Sequence, residues 1–158
     1  MGAQLLWRPG AELSPTGGHI FGFGSSGTGA GQFGGAAGLA ISAGNLYVAE
    51  WSNQRVQEFS PGGHYLGAFD EMGTGNGKSS LPFAIATDPG TGNLYVSELG
   101  GDRVQEFGPS GGFITAFGSA GSGAGQLSFP RGIAAGTSGL LYVVDTGNDR
   151  MQEWAPSE

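Results

Sequence analysis

The residues best suited to chemistry in this chain are acid–arginine pairs, with five residues from each acid to its arginine. There are three pairs: Glu50 with Arg55, Glu98 with Arg103, and Asp145 with Arg150. An arginine fork that faces a partly buried carboxylate satisfies both charges and fixes the backbone around them. Because the same pair recurs three times, we interpret all three as structural salt bridges across a tight hairpin. The alternative is a ring of ligand-binding charges.

Other candidates for chemistry are two histidines and two glycine-rich stretches. His19 and His64 cannot supply the three or four ligands that a zinc ion needs, and the chain has no cysteine. The stretches 24–31 and 118–125 resemble phosphate-binding loops, but no Lys-Ser or Lys-Thr follows them and no helix is expected after them. We therefore expect solvated histidines and connecting loops, with no catalytic residue, no metal site and no cofactor.

The composition limits the class of protein. Gly and Pro make up 42 of the 158 residues, a level that indicates disorder unless the sequence is periodic. Apolar residues are 38% and charged residues 12%, which favours a folded core. The net charge of −7 argues against nucleic acid or an anionic membrane as a partner.

Localisation is not determined by the sequence. The lack of cysteine and the abundance of Gly, Ser and Thr suit an extracytoplasmic bacterial protein. The first residues, however, have neither the basic nor the apolar region of a signal peptide.

The chain is periodic, with three copies of one unit. NLYVAE at 45–50 recurs as NLYVSE at 93–98 and as LLYVVD at 140–145, which are spacings of 48 and 47 residues. The first two copies are followed by RVQEF, at 55–59 and 103–107, and the third by RMQEW, at 150–154. Each unit holds four short apolar segments separated by Gly, Pro, Asn and Ser, a pattern that predicts strands and almost no helix.

The predicted strands begin with a single one at 19–24. The others are 37–42, 45–50, 54–60 and 63–69, then 83–88, 93–98, 102–108 and 112–118, and finally 131–136, 140–145 and 149–155. Consecutive side chains in Leu-Tyr-Val-Ala at 46–49 are all apolar, so both faces of the sheet are expected to be covered.

The repeated motifs Pro-x-Gly-Ile-Ala, Leu-Tyr-Val-x-Asp, Asn-x-Arg-Val-Gln and Gly-x-Phe resemble NHL repeats. The resemblance covers residues 18–155 and is clearest at 129–150, whereas Ala36 replaces the proline of the other copies. It implies an all-β fold, a β-propeller with three four-stranded blades per chain, whose strands a to d run outward from a channel. We divide the chain into an N-terminal extension at 1–17 and blades at about 18–62, 63–110 and 111–158.

Three blades cannot close a propeller, which usually needs four to eight. The chain begins with a d strand and ends with a blade that lacks one, so the N-terminal strand of one copy is expected to complete the last blade of another. We therefore predict a homodimer that forms a six-bladed ring. The alternative is that the chain is part of a longer propeller.

Propellers usually bind ligands on the face where strand a begins and where strand b turns into c, here called the mouth. Residues that differ among the three copies on this face are the candidates for binding. They are Trp51, Lys78, Phe83, Leu99, Arg131 and Thr146.

The leading hypothesis for function is a non-catalytic binding or scaffold module for a protein, peptide or glycan. One alternative is a propeller enzyme, a lyase or a lactonase-like hydrolase, with a metal in the channel. The other is a purely structural part of a longer propeller.

Overall fold

Short apolar runs between glycine-rich turns build three antiparallel sheets in the computed structural model, which describes residue 18 and residues 20–155. In chain order the strands are β1 (Ser25–Ser26), β2 (Gln32–Phe33), β3 (Ala36–Ser42), β4 (Asn45–Glu50), β5 (Arg55–Phe59), β6 (Tyr65–Phe69), β7 (Glu71–Met72), β8 (Lys78–Ser79), β9 (Pro82–Thr87), β10 (Leu94–Glu98), β11 (Arg103–Phe107), β12 (Phe113–Phe117), β13 (Pro130–Ala135), β14 (Leu141–Asp145) and β15 (Arg150–Trp154). A single 3-10 turn at Thr146–Asn148 is the one helical element among these residues.

Each sheet is a simple meander. The first has the order β3-β4-β5-β6, the second β9-β10-β11-β12, and the third β13-β14-β15. The first strands of the sheets are neighbours in space: β3 lies beside β9, and β9 lies beside β13. The sheets are therefore arranged side by side around their first strands, and the last strands β6 and β12 lie on the outside.

The core lies between neighbouring sheets. Between the first two sheets, Tyr47 and Val56 pack with Leu94 and Phe107. Between the second and third sheets, Tyr95 and Val104 pack with Leu127, Leu141 and Val143. Because the second sheet is covered on both sides, β10 is buried at every position, as the consecutive apolar residues 94–96 predict. Ser97 and Glu98, at the end of the strand, are buried as well.

The loops from an outermost strand to the next sheet are more ordered than the sequence indicates. The strand pairs β1–β2 and β7–β8 are parallel, and a parallel bridge joins Ala120 to Leu127 in the third loop. These connections were expected as loops, and the short pairs inside them were not foreseen.

The prediction of a strand at 19–24 is wrong for the single chain. Residues 20–24 form no strand, and residue 19 and the extension 1–17 lie outside the described residues. A strand needs a partner edge, and within the described chain none pairs with this segment. The other eleven predicted strands are present within about two residues of their expected ends.

No helix among the described residues is long and apolar enough to cross a membrane.

Candidate functional site

The three acid–arginine pairs are ion pairs that close the turn between the second and third strands of each sheet. The nitrogen–oxygen distances are 3.1 Å for Arg55 Nε to Glu50 Oε1, 2.5 Å for Arg103 Nε to Glu98 Oε2, and 2.7 Å for Arg150 Nε to Asp145 Oδ2. All three carboxylates are fully buried. Within each pair the two residues are opposite one another in the strand register.

Each ion pair also holds the loop that leads into its own sheet. Arg103 Nη2 donates hydrogen bonds to the carbonyl oxygens of Gly75 at 2.9 Å and Lys78 at 2.8 Å. Arg55 and Arg150 bind the same two loop positions in their own copies. The glycine-rich loops are therefore anchored by arginine through their carbonyl groups, which suits a structural connection and not an anion cradle.

A glutamine for which no role was predicted completes each network. Gln105 Nε2 donates to Glu98 Oε1 at 2.7 Å and to the carbonyl of Lys78 at 2.8 Å, and its Oε1 accepts from the N–H of Gly77 at 2.8 Å. Gln57 and Gln152 make the corresponding contacts. A polar residue recurring at one buried strand position was the signal that could have revealed it.

The electrostatics of the carboxylates follow from burial and hydrogen bonding. Burial raises the pKa of Glu98, although Arg103 and Gln105 oppose the effect. Burial also acts to raise the pKa of Asp145, but hydrogen bonds from Asn148, the N–H of Ser128 and Arg150 outweigh it, so its pKa lies below the ordinary value. The ionised form is thus the stable one at Asp145.

The start of each sheet and its tight turn lie side by side, as the mouth hypothesis requires. The N–H of Trp51 donates to the carbonyl of Gly35 at 3.1 Å, and the N–H of Leu99 donates to Leu81 at 3.0 Å. In the third sheet, Thr146 begins the 3-10 turn beside β13. Trp51 has 44% of its surface exposed.

Two of the predicted mouth residues lie close together on neighbouring sheets. The guanidinium carbon of Arg131 lies 5.8 Å from the ring centre of Phe83, a cation–π arrangement between neighbouring sheets. Lys78 lies apart in β8, where its carbonyl belongs to the arginine anchor and its side chain is exposed.

Phe129 is a further mouth residue that sequence reasoning missed. It has a positive φ of 47°, which favours glycine, and 54% of its side chain is exposed. Its N–H donates to Asp102 Oδ1 in the tight turn of the second sheet at 2.8 Å. Gly35 and Leu81 occupy the same repeat position, also with positive φ. The residue type at this position differs among the three copies, and that difference could have marked Phe129 as a candidate.

Asp70 is a buried acid that only the second copy of the unit has. It stands where Gly24 and Gly118 stand in the other copies, and like them it has a positive φ. Burial, followed by the charge of Glu98, raises the pKa of Asp70 from 3.8 to about 7. Its Oδ1 accepts from Gln105 at 3.1 Å, while its Oδ2 has no hydrogen-bond partner among the described residues.

The Asp70 side chain has space because the second copy also differs from the other two at a position nine residues further along the chain. A side chain at Gly118 would approach Leu127 to 2.7 Å, and one at Gly24 would collide with Phe33. The second copy has the small Ser79 at this position, and its buried hydroxyl also lacks a partner in the described chain. A glycine and a large apolar residue are thus replaced together by an acid and a serine.

No group of three or more His, Asp or Glu side chains is arranged to hold a metal ion within residue 18 and residues 20–155.

Comparison with known proteins identifies one repeat and the fold. A family model described as the NHL repeat matches residues 127–154, and no curated protein matches the chain. Similar solved structures include a streptogramin B lyase (16% identity, TM-score 0.60, covering 78% of this chain and 38% of that one). A second is virginiamycin B lyase from Staphylococcus aureus (17% identity, TM-score 0.54, covering 78% of this chain and 42% of that one). A third is a putative gluconolactonase (20% identity, TM-score 0.58, covering 76% of this chain and 44% of that one).

These likenesses establish the fold alone, because the identities are low. The structural relatives are β-propellers, and this chain spans about two fifths of the length of each. The chain is therefore all-β with propeller-type sheets, and the match at residues 127–154 confirms the predicted NHL resemblance for that repeat.

Proposed function

We propose that this chain is a non-catalytic NHL-type binding module that pairs with a second copy to form a six-bladed propeller ring and binds a protein, peptide or glycan at the mouth. The observation that carries the proposal is that the two end sheets expose apolar faces. The residues on these faces are the repeat counterparts of residues that are buried between neighbouring sheets inside the chain.

The open face of the third sheet consists of Tyr142, Val144 and Met151. Met151 has 65% of its surface exposed, whereas Val56 and Val104 at the same repeat position are fully buried. In the first two sheets this face packs against the following sheet. The third sheet thus presents a contact surface for a sheet that the described chain does not supply.

The open face of the first sheet is formed by Leu39 and Ile41 on β3. Leu39 is 64% exposed, whereas its counterpart Ile85 is buried against the first sheet. This face is therefore the counterpart of the one that the third sheet exposes.

Two copies joined head to tail would cover all four open faces. Exposed apolar surface of this kind marks an interface, and identical chains usually close into cyclic assemblies. Three sheets from each copy make six blades, within the usual range for propellers. In this assembly the N-terminal segment of each copy completes the three-stranded sheet of the other.

Binding at the mouth is supported by its side chains. Trp51 and Phe129 expose aromatic surface. Arg131 lies over the Phe83 ring and has no acid partner in the described chain. Aromatic faces with a few polar donors suit sugars and peptides. A twofold ring would present this set twice.

The test of function is binding to glycan and peptide arrays by the wild-type protein and by the variant Trp51→Ala, with Leu66→Ala as a control on the outermost strand β6. We expect a bound class that Trp51→Ala loses and Leu66→Ala retains. Equal binding by all three proteins would contradict the mouth as the site.

Two alternatives remain distinct proposals. One is a propeller enzyme, since two proteins that share the fold are named as a lyase and a putative gluconolactonase; it predicts turnover dependent on a metal in the channel. A part of a longer propeller predicts instead that the chain stays a monomer in solution, its end faces being covered by further blades in the longer protein.

A further inference from the structure

The segment 20–24 is held against the first sheet by one aromatic side chain. The ring of Phe23 lies 5.2 Å from the ring of Phe59 and 6.2 Å from that of Phe33, measured between centroids. Gly63 leaves room for Phe23, since a Cβ there would approach the ring to 2.7 Å. The segment therefore has a defined place although it forms no strand.

The same contact occurs at both junctions inside the chain. Phe69 lies 5.0 Å from Phe107, and Phe117 lies 4.8 Å from Trp154. Both phenylalanines end the outermost strand of one sheet, β6 or β12, and both pack on the sheet that follows. Gly111 accommodates Phe69 at 2.8 Å, as Gly63 accommodates Phe23.

Phe23 thus occupies the place of the last residue in the outermost strand of a sheet before the first. The third sheet lacks such a strand, because no strand of the described chain pairs with the outer edge of β15. An unpaired edge is a template for strand addition.

We infer that residues 20–24 of one copy add to β15 of a second copy as an antiparallel strand, with a register fixed by the internal sheets. There Val104 is opposite Phe117, Gln105 opposite Ala116, and Glu106 opposite Thr115, and the first sheet has the same register. The corresponding pairs between copies are Met151 with Phe23, Gln152 with Gly22, and Glu153 with Phe21. This inference rests on the proposed ring and specifies how it closes.

The inferred strand pairing and the open faces require the same docking. If the third sheet of the second copy carries residues 20–24 at its edge, it stands before the first sheet as each internal sheet stands before the next. Leu39 then meets the open face of the third sheet, as Ile85 meets Tyr47 and Ala40 inside the chain. One placement therefore covers both the apolar faces and the unpaired edge.

The test uses engineered cysteines, because the chain has none of its own. Residues opposite one another in a sheet have Cα separations of about 4.5–5.5 Å, within disulfide range. The test pair is Phe21→Cys with Glu153→Cys, which leaves Phe23 and the buried glutamine network intact. The control pair is Gly22→Cys with Glu153→Cys, whose side chains lie on opposite faces of the inferred strand pair.

After mild oxidation we expect a covalent dimer from the test pair and at least tenfold less from the control, on a non-reducing gel. Absolute mass in solution is measured on the reduced proteins. A dimer by mass in which the test pair fails to cross-link, or cross-links no better than the control, overturns the register while leaving the ring. A monomer by mass overturns both.

Discussion

Removing the Met151 side chain should weaken the dimer without destabilising the single chain. Met151 lies on the open face of the third sheet, and 65% of its surface is exposed in one copy. The valines at the same position in the first two sheets are fully buried against the next sheet. In a closed ring, Met151 should be buried in the same way, once at each of the two junctions between copies.

The size of the effect follows from this area. Complete burial of a methionine side chain contributes about 1.5–3 kcal/mol. With two thirds of that surface still to bury, Met151→Ala should remove about 1–2 kcal/mol at each junction and about 2–4 kcal/mol per ring. This corresponds to a dissociation constant raised about 30- to 1000-fold.

The assay is sedimentation velocity over a concentration series, with Ile114→Ala as the matched control. Ile114 is 49% exposed on β12, an outermost strand that already has its partner within the second sheet. Ile114→Ala should leave the dissociation constant within about twofold of wild type. Equal dissociation constants for Met151→Ala and Ile114→Ala would refute the assignment of the open face as the interface.

Three other perturbations test the remaining contacts. The pKa of Asp70 is raised to about 7 in the folded chain, so this residue increasingly destabilises the fold as pH rises from about 4 to 7. The melting temperature of Asp70→Asn, relative to that of wild type, should therefore increase over this pH range. A difference in melting temperature that does not change with pH would contradict the raised pKa. Arg103→Met leaves the Glu98 carboxylate buried without its partner and should lower the free energy of unfolding, measured by urea titration, by about 3–5 kcal/mol. The control Arg131→Met should lower it by less than about 1 kcal/mol. Similar losses for the two variants would show that the ion pair has no special role. Phe23→Ala should weaken the dimer at least tenfold, because it releases the segment 20–24 from the first sheet, and an unchanged dissociation constant would argue against strand exchange.

The strands were predictable because the chain repeats them. Three aligned copies placed eleven strands within about two residues, whereas a single copy would have left short apolar runs ambiguous. The acid–arginine pairs were predictable for the same reason, since a five-residue spacing across a tight turn places the two residues opposite one another in the strand register.

The failures concern features that depend on neighbours in space. The segment 20–24 has the sequence of a strand, but a strand forms only when a partner edge is present. The exchange that admits Asp70 involves Ser79, nine residues away, and only the fold brings the two positions together. Phe129 was overlooked because its positive φ and its exposure are properties of the folded backbone.

Absolute mass in solution, from light scattering behind a sizing column, tests the central claim most directly. One chain has a mass of 15.9 kDa. A closed ring of two copies predicts a species of twice that mass across the micromolar range. A stable monomer over the same range would contradict the ring, and the open sheet faces would then require blades from a longer chain.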